Sequence, residues 1–263
     1  MRGGRCALRD PSRCAVTSLP LLAFLGAVSL VTSFISGVLG MAGGMILMGV
    51  LLAVLPVAAA MTLHGITQFA SNGWRALMLR DAIAWRIFGG YAVGAAVAVG
   101  VFMLLQIVLN KPAALIALGL TPFIALALPD RLHLNVERRG HAFGCGLVCM
   151  GLSLTAGVAG PMLDTFFVRS RLRRHAVIAT KAATQALTHL VKVAYFGGIA
   201  AGVADVDATA AVLMVALAFV GTTFSRRVLE RMTDVSFRTW TAWTVRALGA
   251  VYLVWGVTAL LRQ

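Results

Sequence analysis

The chain has 263 residues, 60% of them hydrophobic and only 12% charged, with a mean hydropathy of +0.90. A soluble domain of this length needs a charged share of roughly 25%, so composition excludes an ordinary soluble protein and points to the lipid bilayer. The formal net charge of +14 would suit nucleic acid in a soluble chain. Here the basic residues sit between apolar runs, as the positive-inside rule describes for short cytoplasmic loops, and no nucleic-acid partner is expected.

Arg2, Arg5, Arg9 and Arg13 precede the first apolar run, and from Cys14 to Trp74 there is no Lys, Arg, Asp or Glu. About 20 apolar residues cross a bilayer, so that stretch holds at least two crossings. The run outlasts the core of a secretory signal, about 7–15 residues, and no small-residue cleavage site interrupts it. Residues 1–18 therefore read as a cytoplasmic N-terminal tail before a retained span. Eight candidate helices follow in order: Leu19–Leu39, Val57–Leu79, Ile83–Leu109, Pro112–Leu128, Ala142–Ala159, Ala176–Gly197, Ala208–Phe224 and Phe237–Leu261. Two apolar pieces, Met45–Leu55 and Met162–Val168, follow glycine-rich breaks and are too short to span alone. Four cysteines (Cys6, Cys14, Cys145, Cys149) show no paired framework, and Cys145 and Cys149 read as small hydrophobes within a helix.

Sliding the chain on itself by 117 residues lays Ser36–Arg75 on Ser153–Lys192 without a gap. Ser36, Gly40, Ala42, Gly43 and Met45 meet Ser153, Gly157, Ala159, Gly160 and Met162. Leu55, Ala59, Thr67 and Gln68 meet Leu172, Ala176, Thr184 and Gln185. Paired glycines followed at a fixed distance by a paired Thr-Gln indicate a duplication. The expected fold is an all-α integral membrane protein of about eight transmembrane helices in two related repeats, each with a glycine-broken helix. Repeat one takes residues 19–130, a connection 131–141, and repeat two residues 142–263.

Two features of each repeat can carry chemistry. The first is the break, Gly40-Met41-Ala42-Gly43-Gly44 and Gly157-Val158-Ala159-Gly160-Pro161. Glycine permits unwinding and Pro161 suits the first turn of a new helix. Broken helices in repeated positions point to a transporter's binding site, and the N–H groups of the following half-helix favour an anion. Close helix packing through small residues is the plainer alternative.

The second feature is a polar stripe. His64, Thr67, Gln68, Ser71, Asn72 and Arg75 recur at spacings of three and four, as do Lys181, Thr184, Gln185, Thr188, His189 and Lys192. At about 100° per residue each set covers an arc of roughly 140°, and the 117-residue shift pairs them member for member. Ionisable residues inside a membrane face the bundle interior or a water-filled cavity, although Thr and Gln also serve as interhelical glue. Substrate-binding candidates are thus Gly40, Gly43, Gly44, Thr67, Gln68, Asn72, Arg75, Gly157, Gly160, Pro161, Lys181, Thr184, Gln185, His189 and Lys192. Asp164 and His64 are candidates for coupling, and Asp164 could pair with Lys181. No ligand spacing for a metal, no Walker-type loop and no catalytic triad is found, so neither a cofactor nor an enzymatic reaction is expected.

Ser36–Leu51 (SGVLGMAGGMILMGVL), Ser153–Phe166 (SLTAGVAGPMLDTF) and the run ATKAATQALTHLVKVAYFGG from Ala179 resemble the TauE/SafE sulfite exporter family. The resemblance extends over nearly the whole chain from Leu19. It implies a small bacterial inner-membrane protein with duplicated helical units that moves sulfite, sulfonates or related organic anions. The family's first motif carries three successive glycines and then a proline; this chain has Ala42 first in the triplet and Met48-Gly49 at the proline. The resemblance favours a secondary transporter over a passive anion channel or a membrane assembly factor.

Corresponding loops differ in charge. Arg80 and Arg86 follow the second helix, whereas Asp205 and Asp207 follow the sixth. The piece around Pro56 is neutral, but its counterpart carries four arginines and His175. Opposite charge suggests inverted repeats, which a re-entrant glycine-rich hairpin would allow. A pseudo-two-fold arrangement with the breaks meeting near the midplane is the expectation.

Overall fold

The computed structural model describes residues 18–39, 41–129, 132–199, 206–229 and 234–262. Gly40, Cys6, Cys14, the four tail arginines, Asp205 and Arg231 lie outside the described residues. Ten α-helices occur among those described: α1 (Leu19–Leu39), α2 (Ala42–Val54), α3 (Val57–Met78), α4 (Trp85–Leu105), α5 (Lys111–Ala127), α6 (His141–Thr155), α7 (Gly160–Phe167), α8 (Arg174–Ala194), α9 (Ala208–Leu229) and α10 (Asp234–Leu261). The two short pieces after the breaks are thus helices of their own, α2 and α7, which raises the count above the expected eight.

Among the described residues, four segments are long and apolar enough to cross a bilayer: Leu19–Val38, Trp85–Leu105, Ala208–Ser225 and Ala242–Leu261. Their outer faces present Val93, Val97, Val101, Val212, Val251 and Val254, a surface that suits lipid rather than water. α3 and α8 are long too, but they carry the polar stripes and form the buried centre.

Several boundaries differ from the sequence reading, for local reasons. The helix expected over Ile83–Leu109 starts at Trp85, because the Ala84 N–H is donated to Thr180 Oγ1 at 2.9 Å. It stops at Leu105, where Gln106 turns left-handed (φ 49) and its side chain bonds back to the Met103 carbonyl at 2.6 Å. α5 then begins behind Asn110, whose side chain accepts from the Ala113 N–H at 3.0 Å, the usual N-cap arrangement. The helix expected over Ala142–Ala159 ends at Thr155, since Gly157 has φ +80, a conformation only glycine adopts cheaply.

The pairing of helices sets the architecture. α1 runs parallel to α9: Gly26 lies against Leu213 and Leu217, Ser29 Oγ donates to the Met214 carbonyl at 2.7 Å, and Gly37 abuts Ser225. α4 runs parallel to α6, with Gly90 against Ala142 near their starts and Gly151 beside the Phe102 ring near their ends. α3 and α8 are antiparallel, since His64 meets Lys192 whereas Ala76 meets Ala182 and Ala183. α5 and α10 are antiparallel through Gly119, Gly249 and Gly256. Glycine at each contact lets backbones approach closely, which is how helices associate in lipid.

The breaks reverse the chain. Gly43 sits on the backbone of Thr32 and Ser36, so α2 folds back along α1. Gly44 lies beside His64 and Gln68, near the middle of α3, so the turn between α1 and α2 stops inside the bundle. The second turn enters from the other end, and Gly160 of one break touches the Met41 side chain of the other. The segment 132–140 ties to the connection between α7 and α8: Asn135 Nδ2 donates to the Arg169 carbonyl at 2.9 Å, and Glu137 Oε2 accepts from the Arg171 N–H at 2.5 Å. Arg138, Arg139, Arg169, Arg171, Arg173 and Arg174 gather there. Leu19 and Leu261 lie at the opposite end, with Lys111.

Candidate functional site

Where the breaks and the stripes converge there is a small cavity, lined by Ser36, Met41, Gly44, His64, Gln68, Asn72, Val158, Ala159, Gly160, Gln185 and His189. Its volume is about 20 Å³, a little above the roughly 10–15 Å³ one water needs. Of the stripe residues, Gln68, Asn72, Gln185 and His189 reach it, as does His64. Of the break residues, Met41, Gly44, Val158, Ala159 and Gly160 reach it, and of these only Gly44 and Gly160 were candidates.

Hydrogen bonding fixes which groups are left to bind. Asn72 Nδ2 donates both to the Gln68 carbonyl (3.0 Å) and to Gln68 Oε1 (3.2 Å). The Gln68 oxygen is thereby used, and its Nε2 is buried with no partner. His64 Nε2 meets the Gly44 carbonyl at 2.9 Å. A carbonyl only accepts, so this nitrogen carries the hydrogen and Nδ1 is the bare one. Nδ1 accepts from Lys192 Nζ at 2.7 Å, and the same nitrogen donates to the Gly157 carbonyl at 2.9 Å. His189 stands edge-on to His64, with ring centroids 5.3 Å apart, and its Nδ1 is buried without a partner.

Other sequence candidates lie elsewhere. Thr67 donates to the Leu63 carbonyl and Thr184 to the Lys181 carbonyl, both at 2.9 Å, so their hydroxyls close onto their own helices. Lys181 forms an ion pair with Asp164 of α7, outside the cavity. Arg75, in the last turn of α3, has a buried Nη2 without a partner but does not line the cavity. Gly43 packs on α1, Gly157 supplies a carbonyl to Lys192, and Pro161 opens α7. Lys192 is fully buried and stands behind His64 rather than on the cavity wall.

The cavity therefore offers donors, the Gln68 amide and the first N–H groups of α2 and α7, and beside them the His189 ring nitrogen, which donates when it carries the hydrogen. Neither helix has a side-chain N-cap, and the two run away from the cavity toward opposite ends, so both positive dipole ends face it. The one described acid on a break or stripe helix, Asp164, is already paired. Among the described residues no cluster of three His, Cys, Asp or Glu could hold a metal ion.

A family model, sulfite exporter TauE/SafE, matches residues 25–252. The chain belongs to the TauE/SafE family. It is a multi-pass membrane protein of a transporter family, not of an enzyme family. No curated protein and no solved structure matches the chain. The TauE/SafE match spans both glycine breaks and both polar helices. Sequence reasoning missed four lining residues: Ser36, Met41, Val158 and Ala159. Ser36 was legible as a repeated identity with Ser153. The other three are apolar and line the cavity because they belong to the unwound turns.

Proposed function

We propose that the cavity binds a small anion (sulfite, a sulfonate or a related organic anion) and that the chain carries it across the bacterial inner membrane as a secondary transporter. One observation carries this reading: the Gln68 Nε2 donor and the His189 Nδ1 ring nitrogen are buried without partners, both on residues that line the cavity. Buried polar groups are nearly always paired, so the Gln68 amide awaits an acceptor and the His189 nitrogen a partner beside it. The converging N-termini of α2 and α7 act in the same sense. A cavity of about 20 Å³ is not an open pore, which favours a carrier between open states over a passive channel.

The packing supports an inverted duplication behind this site. Exchanging α1 with α6, α2 with α7, α3 with α8, α4 with α9 and α5 with α10 turns the pair α1–α9 into α6–α4. The same exchange leaves the pairs α3–α8 and α5–α10 unchanged. Each half then contributes one re-entrant hairpin from its own side of the membrane.

Uptake of labelled sulfite, sulfoacetate and taurine into proteoliposomes tests the site. Gln68→Ala and Gln185→Ala are expected to weaken apparent affinity about tenfold or more, the scale of a lost hydrogen bond to a charged group. Lys181→Ala, paired away from the cavity, is expected to weaken it less. Absence of flux with every anion, or parental behaviour of both glutamine variants, would sink the reading.

The arginine-rich end is read as cytoplasmic by the positive-inside rule. This sets Leu19 at the opposite face, against the expectation from the tail's own arginines. In a variant with Cys6 and Cys14 changed to serine, a cysteine introduced at Ser170 should label with a membrane-impermeant maleimide only in inverted vesicles. Labelling in intact spheroplasts would reverse the assignment.

A further inference from the structure

Among the described residues, Lys192 is the one Lys, Arg, Asp or Glu that is fully buried, and no carboxylate among them pairs with it. Asp164 pairs with Lys181, eleven residues and so roughly 16 Å up α8. Instead Lys192 Nζ contacts the bare Nδ1 of His64 at 2.7 Å and the Gly157 carbonyl at 2.9 Å. These acceptors come from α3 and from the second break. His64 in turn holds the Gly44 carbonyl of the first break at 2.9 Å. One lysine and one imidazole thus link both unwound turns, with the imidazole on the cavity wall.

We propose that Lys192 and His64 hold one exchangeable proton that travels with the anion, so that anion and proton cross in the same direction. The inference rests on the anion-carrier reading above. A lone charge in a dry interior is costly unless it is paired. The empty site is therefore best without the proton, and the occupied site is best with it. Either charge alone is left unpaired, and this penalty ties the two movements together. The proton passes along the 2.7 Å contact: an N–H bond of Lys192 breaks as one to His64 Nδ1 forms, leaving a neutral amine behind an imidazolium on the cavity wall. When the anion leaves, the proton leaves to water with it.

Other titratable groups sit on the elements packed around Lys192. His189, on its own helix, stands 5.3 Å from His64 and is the natural next station toward the cavity. Arg75 of α3 and the Lys181–Asp164 pair lie toward the basic end. Tyr91 of α4 bonds Thr188 at 2.6 Å. Cys145 and Cys149 of α6 contact each other, and the Tyr195 hydroxyl is committed to the Phe102 and Ile107 carbonyls. None of these contacts Lys192 Nζ.

The test uses proteoliposomes of the full chain loaded with the pH dye pyranine and given labelled sulfite or sulfoacetate. Empty liposomes give the leak of the free acid. An acid-outside gradient is expected to raise uptake at least tenfold, with the lumen acidifying as anion enters. Lys192→Arg keeps its proton permanently and should lose the drive from the gradient, as should His64→Gln. Both are checked for monodispersity in detergent, and if the arginine variant fails that check the glutamine variant is read alone. If neither anion moves at all, the carrier reading fails and this inference goes with it. Anion flux in the parent that ignores the gradient overturns the coupling alone, and so do folded variants that keep the parent's gradient response.

Discussion

Gly43→Ala is expected to stop the first hairpin from closing. A methyl group at this position would overlap the Thr32 carbonyl oxygen and the backbone of Ser36, and neither backbone atom can turn aside as a side-chain tip would. Overpacking of this kind costs about 1–3 kcal/mol, and here relief requires moving α2 off α1. The cost reaches function, since the carbonyl that anchors His64 belongs to the next residue, Gly44. The yield of monodisperse protein and its thermal midpoint in mild detergent read the effect. Gly73→Ala is the control: nothing lies within 4 Å of the added carbon, and alanine in a helix interior gains roughly 0.5–1 kcal/mol over glycine. Equal behaviour of the two variants would show that α1 and α2 do not pack as described.

Lys192→Met is expected to separate stability from transport. Methionine keeps most of the side-chain volume while removing a buried amine. Replacing buried ionic groups by apolar residues of similar size is often neutral or stabilising. Against that gain, His64 Nδ1 and the Gly157 carbonyl lose their donor, at about 1–3 kcal/mol for a buried group left unsatisfied. The two effects are of similar size, so the thermal midpoint should move by only a few degrees. Anion flux should fall at least tenfold, because the cavity loses the positive charge behind His64. A variant that transports like the parent would mean that Lys192 only braces the second break.

The fold was legible in the sequence to the extent that it rests on period and composition. Apolar run lengths located the spans, and the glycine clusters located both reversals. The stripes were legible because α3 and α8 hold their polar residues at spacings that only a helix brings to one face. What the sequence could not rank was which stripe members reach the cavity. Thr67 and Gln68 are neighbours on one stripe, yet Thr67 bonds its own helix while Gln68 faces the cavity. That difference depends on the rotation of α3 against the two breaks. Lys181 and Lys192 were read alike as binding candidates, yet the first is paired with Asp164, as its position allowed, and the second, near the far end of the helix, joins the two halves. Helix α4 starts late, where the Ala84 N–H goes to Thr180, and stops early at a left-handed Gln106, neither of which a local apolar pattern reports.

The parallel seating of α1 on α9 bears on how the protein is made. Ser29 finds its acceptor, the Met214 carbonyl, 185 residues further along the chain. At about 5–20 residues per second of synthesis, that separation is roughly 10–40 s. For that interval the glycine and serine face of the first helix meets lipid or the insertion machinery instead of its mate. The partnership of α4 with α6, joined by a far shorter stretch, is complete long before. The nascent chain therefore assembles from its middle outward, and the first helix inserted is among the last to be seated.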